Sequence, residues 1–262
     1  MSIGIAIITC DRLNMFETCV QSIIKTHSQC IEELIVVNDG TDIVQECSDF
    51  TLINNKTNLG VGESKNVALK ALMERDVEHL FIFEDDVEVI SNLACKKYLQ
   101  IADRSGVKHL NFCLHGDANK NGTTAAPKLI IDYNDIRMAL YHNITGAMSY
   151  YHADTIKQCG YMDDQYRNAM EHVDHTMRII NEGYHPPFRW FADVENSDDL
   201  IRDQDPELKD SKIRNDQQWK DNFVHGVKRF HELYDINVCS PSQPCASQQQ
   251  VIEFLKSLRN EN

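Results

Sequence analysis

The sequence predicts an α/β fold in which a mostly parallel central sheet is flanked by helices. Residues 3–9, 34–37 and 79–83 are apolar runs with the β-branched or aromatic content of strands covered on both faces. Segments whose apolar residues recur with helical spacing separate these runs, and short polar links join strand to helix. Such alternation is typical of right-handed βαβ units, so these strands are expected to run parallel.

The same periodicities predict the other elements. Further strands are expected at residues 51–53 and 107–114, and residues 128–133 and 137–142 are expected to pair as a hairpin. Residues 115–127 are polar and glycine-containing, so they are expected to form a loop. The stretch 193–221, dense in Asp, Lys, Asn and Gln, is expected to be a lid or an exposed connection. Helical spacing of apolar residues predicts helices over 16–24, 62–75, 93–104, 170–182, 219–234 and 248–258.

Composition limits the possible partners. The chain of 262 residues is 42% hydrophobic and 25% charged, which is ordinary for a soluble globular protein. Its net charge of −14 gives no bulk support for binding nucleic acid or an anionic membrane, so no nucleic acid partner is expected. No apolar run approaches the roughly 18 residues of a membrane-spanning helix, and no signal peptide is evident. We expect a cytoplasmic protein whose nine cysteines are mainly reduced core thiols.

Polar clusters follow the predicted strands. They are Thr-Cys-Asp-Arg at 9–12, Asn-Asp-Gly-Thr at 38–41, Asn-Leu-Gly-Val-Gly at 58–62 and Glu-Asp-Asp at 84–86. In an open α/β sheet, ligands bind beyond the carboxyl ends of the strands. Each cluster alone is also explained as a turn or a solvated loop. Together they supply what a nucleotide needs: acids for a base or ribose, glycines for close backbone approach, and Lys65 for a phosphate.

The acid triplet at 84–86 is the main candidate for metal binding. Carboxylate oxygens suit Mg²⁺ or Mn²⁺, and either cation neutralises a diphosphate. An acid cluster after a strand is equally consistent with a solvated turn when it is taken in isolation.

The order and spacing of these motifs resemble the GT-A nucleotide-sugar domain of family 2 glycosyltransferases, over roughly residues 3–190. The resemblance implies that Asp86 is the main metal ligand and that Glu84 is the first acid of a DXD motif. Some members of the fold use a later histidine as a third ligand, for which His185 and His225 are the candidates, with His225 preferred. Here the first acid is Glu rather than Asp, which lengthens its reach. The nucleotide-sugar contacts that the resemblance implies are Thr9, Asp11, Arg12, Asp39, Gly60, Lys65, Asp85 and Gly146.

The second half supports the same resemblance. Residues 144–148 and 159–166 are similar to the family's Thr-Gly-Ala and Gly-Gly-Phe-Asp stretches, and Glu171 and His172 stand where the family has Glu-Asp. In inverting members the Asp of that pair is the general base. Imidazole is a capable base, so His172 could take this role. Alternatively Glu171 or Asp174 is the base and His172 contacts the acceptor or a phosphate. We predict Glu171 and His172 jointly.

The resemblance implies a metal-dependent, inverting glycosyltransferase. It would move a sugar from a nucleoside diphosphate sugar, with UDP favoured, to a saccharide or other hydroxyl-bearing acceptor, using Mn²⁺ or Mg²⁺. Residues 1–190 would form the catalytic domain, with 1–90 the nucleotide-binding half and 91–190 the acceptor half. Residues 191–262 would add a polar segment and C-terminal helices packed on the same domain.

Two other functions fit parts of the sequence. A sugar-nucleotide nucleotidyltransferase would need a glycine-rich basic loop after the first strand, where this chain has Thr-Cys-Asp-Arg. A non-catalytic α/β nucleotide-binding module would not need the residues between 146 and 178.

Overall fold

The computed structural model of the chain describes residues 2–42, 44–207, 209, 214, 218–240 and 243–260. Thirteen strands and seven helices lie within these ranges. In chain order they are β1 Ile3–Thr9, α1 Leu13–His27, β2 Glu33–Asn38, β3 Thr51–Asn54, α2 Val61–Met73, β4 His79–Glu84, β5 Val87–Val89, α3 Ala94–Ser105, β6 His109–Asn111, β7 Lys120–Asn121, β8 Thr124–Ala125, β9 Leu129–Asp132, β10 Arg137–Tyr141, β11 Met148–His152, α4 Ala153–Cys159, α5 Glu171–Asn181, β12 Phe191–Val194, a 3₁₀ helix Ser197–Asp199, β13 Ile201–Asp203, α6 Trp219–Tyr234 and α7 Gln248–Asn260.

The central sheet has six strands in the order β3-β2-β1-β4-β11-β6. Strands β1 to β4 are mutually parallel, whereas β11 runs antiparallel to both β4 and β6. Ile8 is in register with Val37 of β2 and with Glu84 of β4, so these three strands end together. The predicted α/β class with a mostly parallel sheet is therefore confirmed, and the polar clusters meet at one edge.

Strand β1 is buried on both faces because its side chains alternate between two apolar layers. Ile5 and Ile7 pack in the layer that contains residues of α1 and α3, and Ala6 and Ile8 pack against α2. Full burial of each isoleucine contributes about 1.5–3 kcal/mol. A side chain at Gly4 would stand 2.7 Å from Leu72 Cδ2, so the glycine lets α2 approach the sheet closely.

A second, antiparallel sheet has the order β12-β10-β9 and extends the core. The predicted hairpin is confirmed, with Asn134 at φ +71° in its turn. Phe191 of β12 and Val251 and Leu255 of α7 belong to the same apolar cluster as Ile5 of β1.

Several predicted elements differ from the structure. The strand expected at 107–114 is limited to β6, because the backbone amide of Cys113 bonds the Asp193 carboxylate (2.7 Å) instead of a neighbouring strand. The loop expected at 115–127 contains the short pair β7 and β8. The polar stretch 193–221 contributes the end of β12, a 3₁₀ helix, β13 and the start of α6. The rest of the stretch that was predicted to be a lid or an exposed connection includes residues 208, 210–213 and 215–217, which lie outside the described residues.

The cysteines divide between core and surface. Cys19, Cys95 and Cys113 are buried thiols, as expected, whereas Cys30, Cys47, Cys239 and Cys245 are exposed. All nine are free thiols. No helix within the described residues has both the length and the apolar character required to cross a bilayer.

Candidate active site

Asp39 closes the turn after β2. Its buried carboxylate accepts hydrogen bonds from the backbone amides of Leu59 (2.8 Å) and Gly60 (2.9 Å) and from the side-chain amide of Asn55 (2.8 Å). Gly60 has a φ of +88°, which favours glycine, and precedes α2. Asp39 therefore holds the glycine loop against the end of β2, and one acceptor position on Oδ2 remains for the predicted nucleoside contact.

Asp11 ties the loop after β1 to the loop after β2. Its Oδ1 accepts from the backbone amides of Thr41 (2.6 Å) and Asp42 (2.9 Å). A side chain at Gly40 would stand 2.5 Å from this oxygen, so the loops pack this closely only around a glycine. The nucleoside contact of Asp11 stays a prediction beside this architectural role.

Thr9, Arg12 and Asp85 form one network. The hydroxyl of Thr9 donates to Asp85 Oδ2 (2.7 Å), and the guanidinium of Arg12 bonds Asp85 Oδ1 and Asp86 Oδ2, the latter at 3.1 Å. Burial raises the pKa of Asp85 to about 7 although Arg12 acts in the opposite direction. Both oxygens of Asp85 accept from protein donors, so Asp85 anchors Arg12, and its predicted contact with a ligand stays a prediction.

Asp86 has an unused oxygen inside the protein. Its Oδ1 is buried without a hydrogen-bond partner and lies 3.6 Å from Nε2 of His115, which also has none. Against the effect of burial, His115 and Arg12 hold the pKa of Asp86 well below its usual range. A separation of 3.6 Å is too long for a hydrogen bond, but it suits two ligands of one cation bound at about 2.1 Å.

Asp203 lies on the other side of the His115 ring nitrogen. Its Oδ1 lies 3.5 Å from His115 Nε2, while its Oδ2 accepts from the backbone amide of Gly116 (2.7 Å). No set of three or more acidic, histidine or cysteine side chains in the described part of the chain already converges as a metal centre. Asp86 and His115 are therefore two side chains whose unpartnered atoms would fit a divalent cation.

Lys65 is a buried cross-link. Its ammonium donates to Glu84 Oε1 (2.6 Å), to the carbonyl of Gly146 (3.0 Å) and to Glu171 Oε1 (3.4 Å). An ammonium has three protons, and each of these has a protein acceptor. Against the effect of burial, the two carboxylates raise the pKa of Lys65. Lys65 thus connects Glu84 to Glu171, and its contact with a diphosphate stays a prediction.

Glu171 and His172 form a hydrogen-bonded pair at the start of α5. His172 Nδ1 lies 2.9 Å from Glu171 Oε1, and Glu171 is buried whereas His172 is 21% exposed. Although burial opposes ionisation, His172 and Lys65 lower the pKa of Glu171 to about 2. An ionised Glu171 accepts a hydrogen bond from the Nδ1–H group, and in that tautomer Nε2 carries a lone pair. The pair therefore has the arrangement of a carboxylate-oriented base.

Asp174, the third candidate base, is hydrogen-bonded to other side chains of the protein. Its Oδ1 accepts from the hydroxyl of Tyr234 (2.8 Å) and its Oδ2 from Arg178 Nε (3.2 Å). Both oxygens are thus engaged, and Asp174 is absent from the cavity wall. It attaches α6 to α5 through Tyr234, and its role as a base stays a prediction.

Gly146 lies at the centre of these groups. A side chain there would stand 3.0 Å from His172 Nδ1, 3.1 Å from Lys65 Nζ and 3.2 Å from Glu84 Oε1. The glycine therefore allows backbone to pass between the acid that ends β4 and the pair that begins α5, and its contact with a nucleotide sugar stays a prediction.

A cavity of about 660 Å³ opens beside the site. This volume suits a small-molecule ligand. Its polar wall includes Glu84, Asp86, His115, Gly146, Glu171 and His172, and its aromatic wall includes Phe188, Phe191, Trp219 and Phe223. His225, the predicted third metal ligand, is exposed on α6 outside this cavity, and His115 occupies the position beside Asp86.

Solved structures with a similar fold exist. The Staphylococcus aureus TarS 1–349 structure superposes with a TM-score of 0.54 at 14% identity, over 98% of this chain and 81% of that one. TarS 1–349 in complex with UDP gives 0.53 at 16% identity, over 69% of this chain and 56% of that one. GalNAc-T7 with UDP, GalNAc and Mn²⁺ gives 0.53 at 11% identity, over 68% and 40%. The chain has a GT-A glycosyltransferase fold.

No protein-family model matches the chain, and no curated protein matches it.

Proposed function

We propose that this protein is a metal-dependent glycosyltransferase that moves a sugar from a nucleoside diphosphate sugar to an acceptor hydroxyl. One observation carries the proposal: a single cavity is lined both by the Asp86–His115 pair, with its two unused buried atoms, and by the Glu171–His172 pair. The first pair suits a cation that binds a diphosphate, and the second suits a base that activates a hydroxyl.

Asp86 and His115 would hold the cation. A carboxylate beside an imidazole nitrogen favours Mn²⁺ over Mg²⁺, because Mg²⁺ prefers oxygen ligands. When bound, the cation neutralises the negative charge that grows on the departing diphosphate. Arg12, which donates to Asp86 Oδ2, keeps the other carboxylate oxygen in place.

His172 acts as the general base. Its Nε2 accepts the proton of the acceptor hydroxyl while the hydroxyl oxygen bonds the anomeric carbon and the bond from that carbon to the diphosphate breaks. Glu171 fixes the tautomer and stabilises the imidazolium that forms, because it is ionised and 2.9 Å from Nδ1. A single displacement of this kind inverts the anomeric configuration.

The donor is a UDP-sugar in this proposal. Support comes from the acids and glycine loop at the ends of β1 and β2, and from the UDP bound in the TarS and GalNAc-T7 structures.

Nucleotide release tests the proposal. The purified protein is incubated with a panel of nucleotide sugars and MnCl₂, and nucleoside diphosphate is measured with and without EDTA. We expect turnover of at least one UDP-sugar that EDTA abolishes and that Asp86→Asn lowers at least a hundredfold. Asp103→Asn, at an exposed position on α3, is the matched control and should behave as wild type. Turnover of no donor, or full activity in Asp86→Asn, would refute the proposal.

A further inference from the structure

Three basic side chains come together without an acidic partner. Lys128 donates to the backbone carbonyl of Arg189 (3.0 Å) and lies over the ring of Trp190, 3.6 Å from its centroid. Burial and the charges of Arg189 and Lys128 lower the pKa of His142. Burial likewise lowers the pKa values of Lys128 and Arg189. Within the described part of the chain, no carboxylate lies within ion-pair distance of any of the three.

This is unusual for a chain with 40 acidic and 26 basic residues. Other cations of the site are neutralised by carboxylates: Arg12 by Asp85 and Asp86, and Lys65 by Glu84 and Glu171. A buried charge without a partner is destabilising by several kcal/mol. Groups that persist in such a position are candidates for binding a ligand of opposite charge.

Arg189 places its positive charge at the cavity wall. It lines the cavity wall, is only 8% exposed, and has a φ of +71°, a strained backbone conformation for a residue with a side chain. Its Nη2 donates to the carbonyl of Val238. A guanidinium has five N–H donors, so several remain for an anion.

We propose that the acceptor carries an anionic group, a phosphate or a carboxylate, and that Arg189 binds it, with Lys128 adding positive charge behind it. The proposal rests on the glycosyltransferase function argued above. It adds that the hydroxyl which is glycosylated belongs to a negatively charged molecule.

The surroundings of Arg189 favour the acceptor over the donor diphosphate. The acids that suit a cation and a nucleotide follow β1, β2 and β4, whereas Arg189 follows α5, the helix whose first turn carries His172. Its neighbours on the wall come from the later part of the chain: Phe188, Trp219, Phe223, Val238 and Cys239. An acceptor that delivers its hydroxyl to His172 therefore extends past these residues.

Binding of inorganic phosphate tests the site apart from catalysis. With UDP and MnCl₂ at saturation, so that the donor site is filled, phosphate is titrated by isothermal calorimetry. We expect wild type to bind phosphate and Arg189→Gln to bind it about tenfold to hundredfold more weakly, because a charge-assisted hydrogen bond is lost. Arg189→Lys, which keeps the charge, should be intermediate. No phosphate binding by wild type under these conditions overturns the proposal.

Acceptor selectivity gives the second test. Transfer is compared for glycerol, glycerate and glycerol 3-phosphate, which separates a carboxylate from a phosphate as the preferred anion. We expect wild type to prefer one anionic compound over glycerol at least tenfold, and Arg189→Gln to lose that preference through a higher acceptor KM. Arg137→Gln, an exposed arginine on β10 paired with Glu195, should keep it.

Each failure has a separate meaning. Equal use of glycerol and the two anions by wild type refutes the anionic acceptor. A raised donor KM in Arg189→Gln with unchanged acceptor preference shows that Arg189 binds the donor diphosphate and also overturns the proposal. Absence of any donor turnover, even as slow hydrolysis, instead refutes the glycosyltransferase function itself.

Discussion

Two regions of the site use their polar atoms in different ways. One is the pair of loops after β1 and β2, and the other is the cavity wall formed by residues after β4. Asp11 and Asp39 accept hydrogen bonds from backbone amides of neighbouring loops, so most of their capacity is consumed within the protein. On the other wall, Asp86 Oδ1 and His115 Nε2 are buried without partners, and Arg189 has no carboxylate beside it in the described residues. The first region uses most of its hydrogen-bonding capacity to hold its loops together, whereas the second keeps unpartnered polar atoms beside the cavity.

The histidines differ in the same way. His185 is buried with both ring nitrogens engaged, Nδ1 with the carbonyl of Pro186 (2.8 Å) and Nε2 with the amide of Ala192 (3.2 Å). His172 is tied only through Nδ1 and lines the cavity. A histidine near the carboxyl ends of the strands is therefore not by itself evidence of a catalytic role. The better evidence is a ring nitrogen that has no hydrogen-bond partner in the folded protein.

The largest effect is expected for His172→Ala. Loss of a general base should lower kcat for transfer by roughly a hundredfold to ten-thousandfold, with little change in unfolding midpoint. Initial rates of nucleotide release measure the effect. His231→Ala, which removes an exposed histidine from α6, is the matched control. If His172→Ala kept more than a tenth of wild-type kcat, the base would have to be assigned elsewhere.

Asp39→Ala should act on stability. It leaves two backbone amides and one side-chain amide without their acceptor, so the free energy of unfolding should fall by about 3 kcal/mol. Urea denaturation followed by circular dichroism measures the change, and Asp49→Ala at an exposed position serves as the reference. If the free energy of unfolding fell by less than about 0.5 kcal/mol, Asp39 would not be stabilising the loops as described.

His115→Ala and His225→Ala separate the two candidate metal ligands. We expect His115→Ala to weaken Mn²⁺ binding roughly tenfold or more and His225→Ala to leave it unchanged, because only His115 lies beside Asp86. Electron paramagnetic resonance of free Mn²⁺ in a titration measures both without requiring activity. The reverse ranking of the two variants would restore His225 as the ligand.

The smallest effect concerns pH and His185. Burial lowers the pKa of His185 to about 4, whereas a histidine in an unfolded chain titrates near 6.5. Between these values the unfolded state binds more protons, so stability falls as the pH falls from 6.5 toward 4. At pH 6 one such histidine lowers the free energy of unfolding by about 1 kcal/mol relative to pH 8.

Urea midpoints measured between pH 8 and pH 5 in wild type and His185→Gln test this dependence. The variant should show a shallower slope over the acidic part of the range. Identical slopes would mean that His185 is not the neutral, buried group described above.

Sequence reasoning was accurate where the signal is local. The apolar runs of β1, β2 and β4 and the acids that end them are contiguous in the chain, so the sheet edge and Glu84 and Asp86 could be predicted. Strand β11 was missed, since its sequence Met-Ser-Tyr-Tyr-His has no continuous apolar run although it is buried between β4 and β6.

The unpredicted residues depend on contacts between distant segments. His115 meets Asp86 only because sheet order brings the end of β6 near the end of β4, and its one available signal was its position just after a predicted strand. Lys65 has the residue type of a phosphate ligand, but Glu84 and Glu171 come from other elements and occupy its protons. Arg189 lies in no recognisable sequence motif. Its lack of an acidic neighbour among the described residues is visible only in three dimensions.

Lys65 also links the two halves of the cavity energetically. Because one ammonium contacts both Glu84 and Glu171, a cation placed beside Glu84 changes the electrostatic potential at Glu171 and at the imidazole bonded to it. Thermodynamic reciprocity requires that protonation or ligand binding at the imidazole alter cation affinity by the same factor. If a cation binds at the end of β4 and a ligand binds at the start of α5, the shared Lys65 ammonium predicts that the two binding events are coupled.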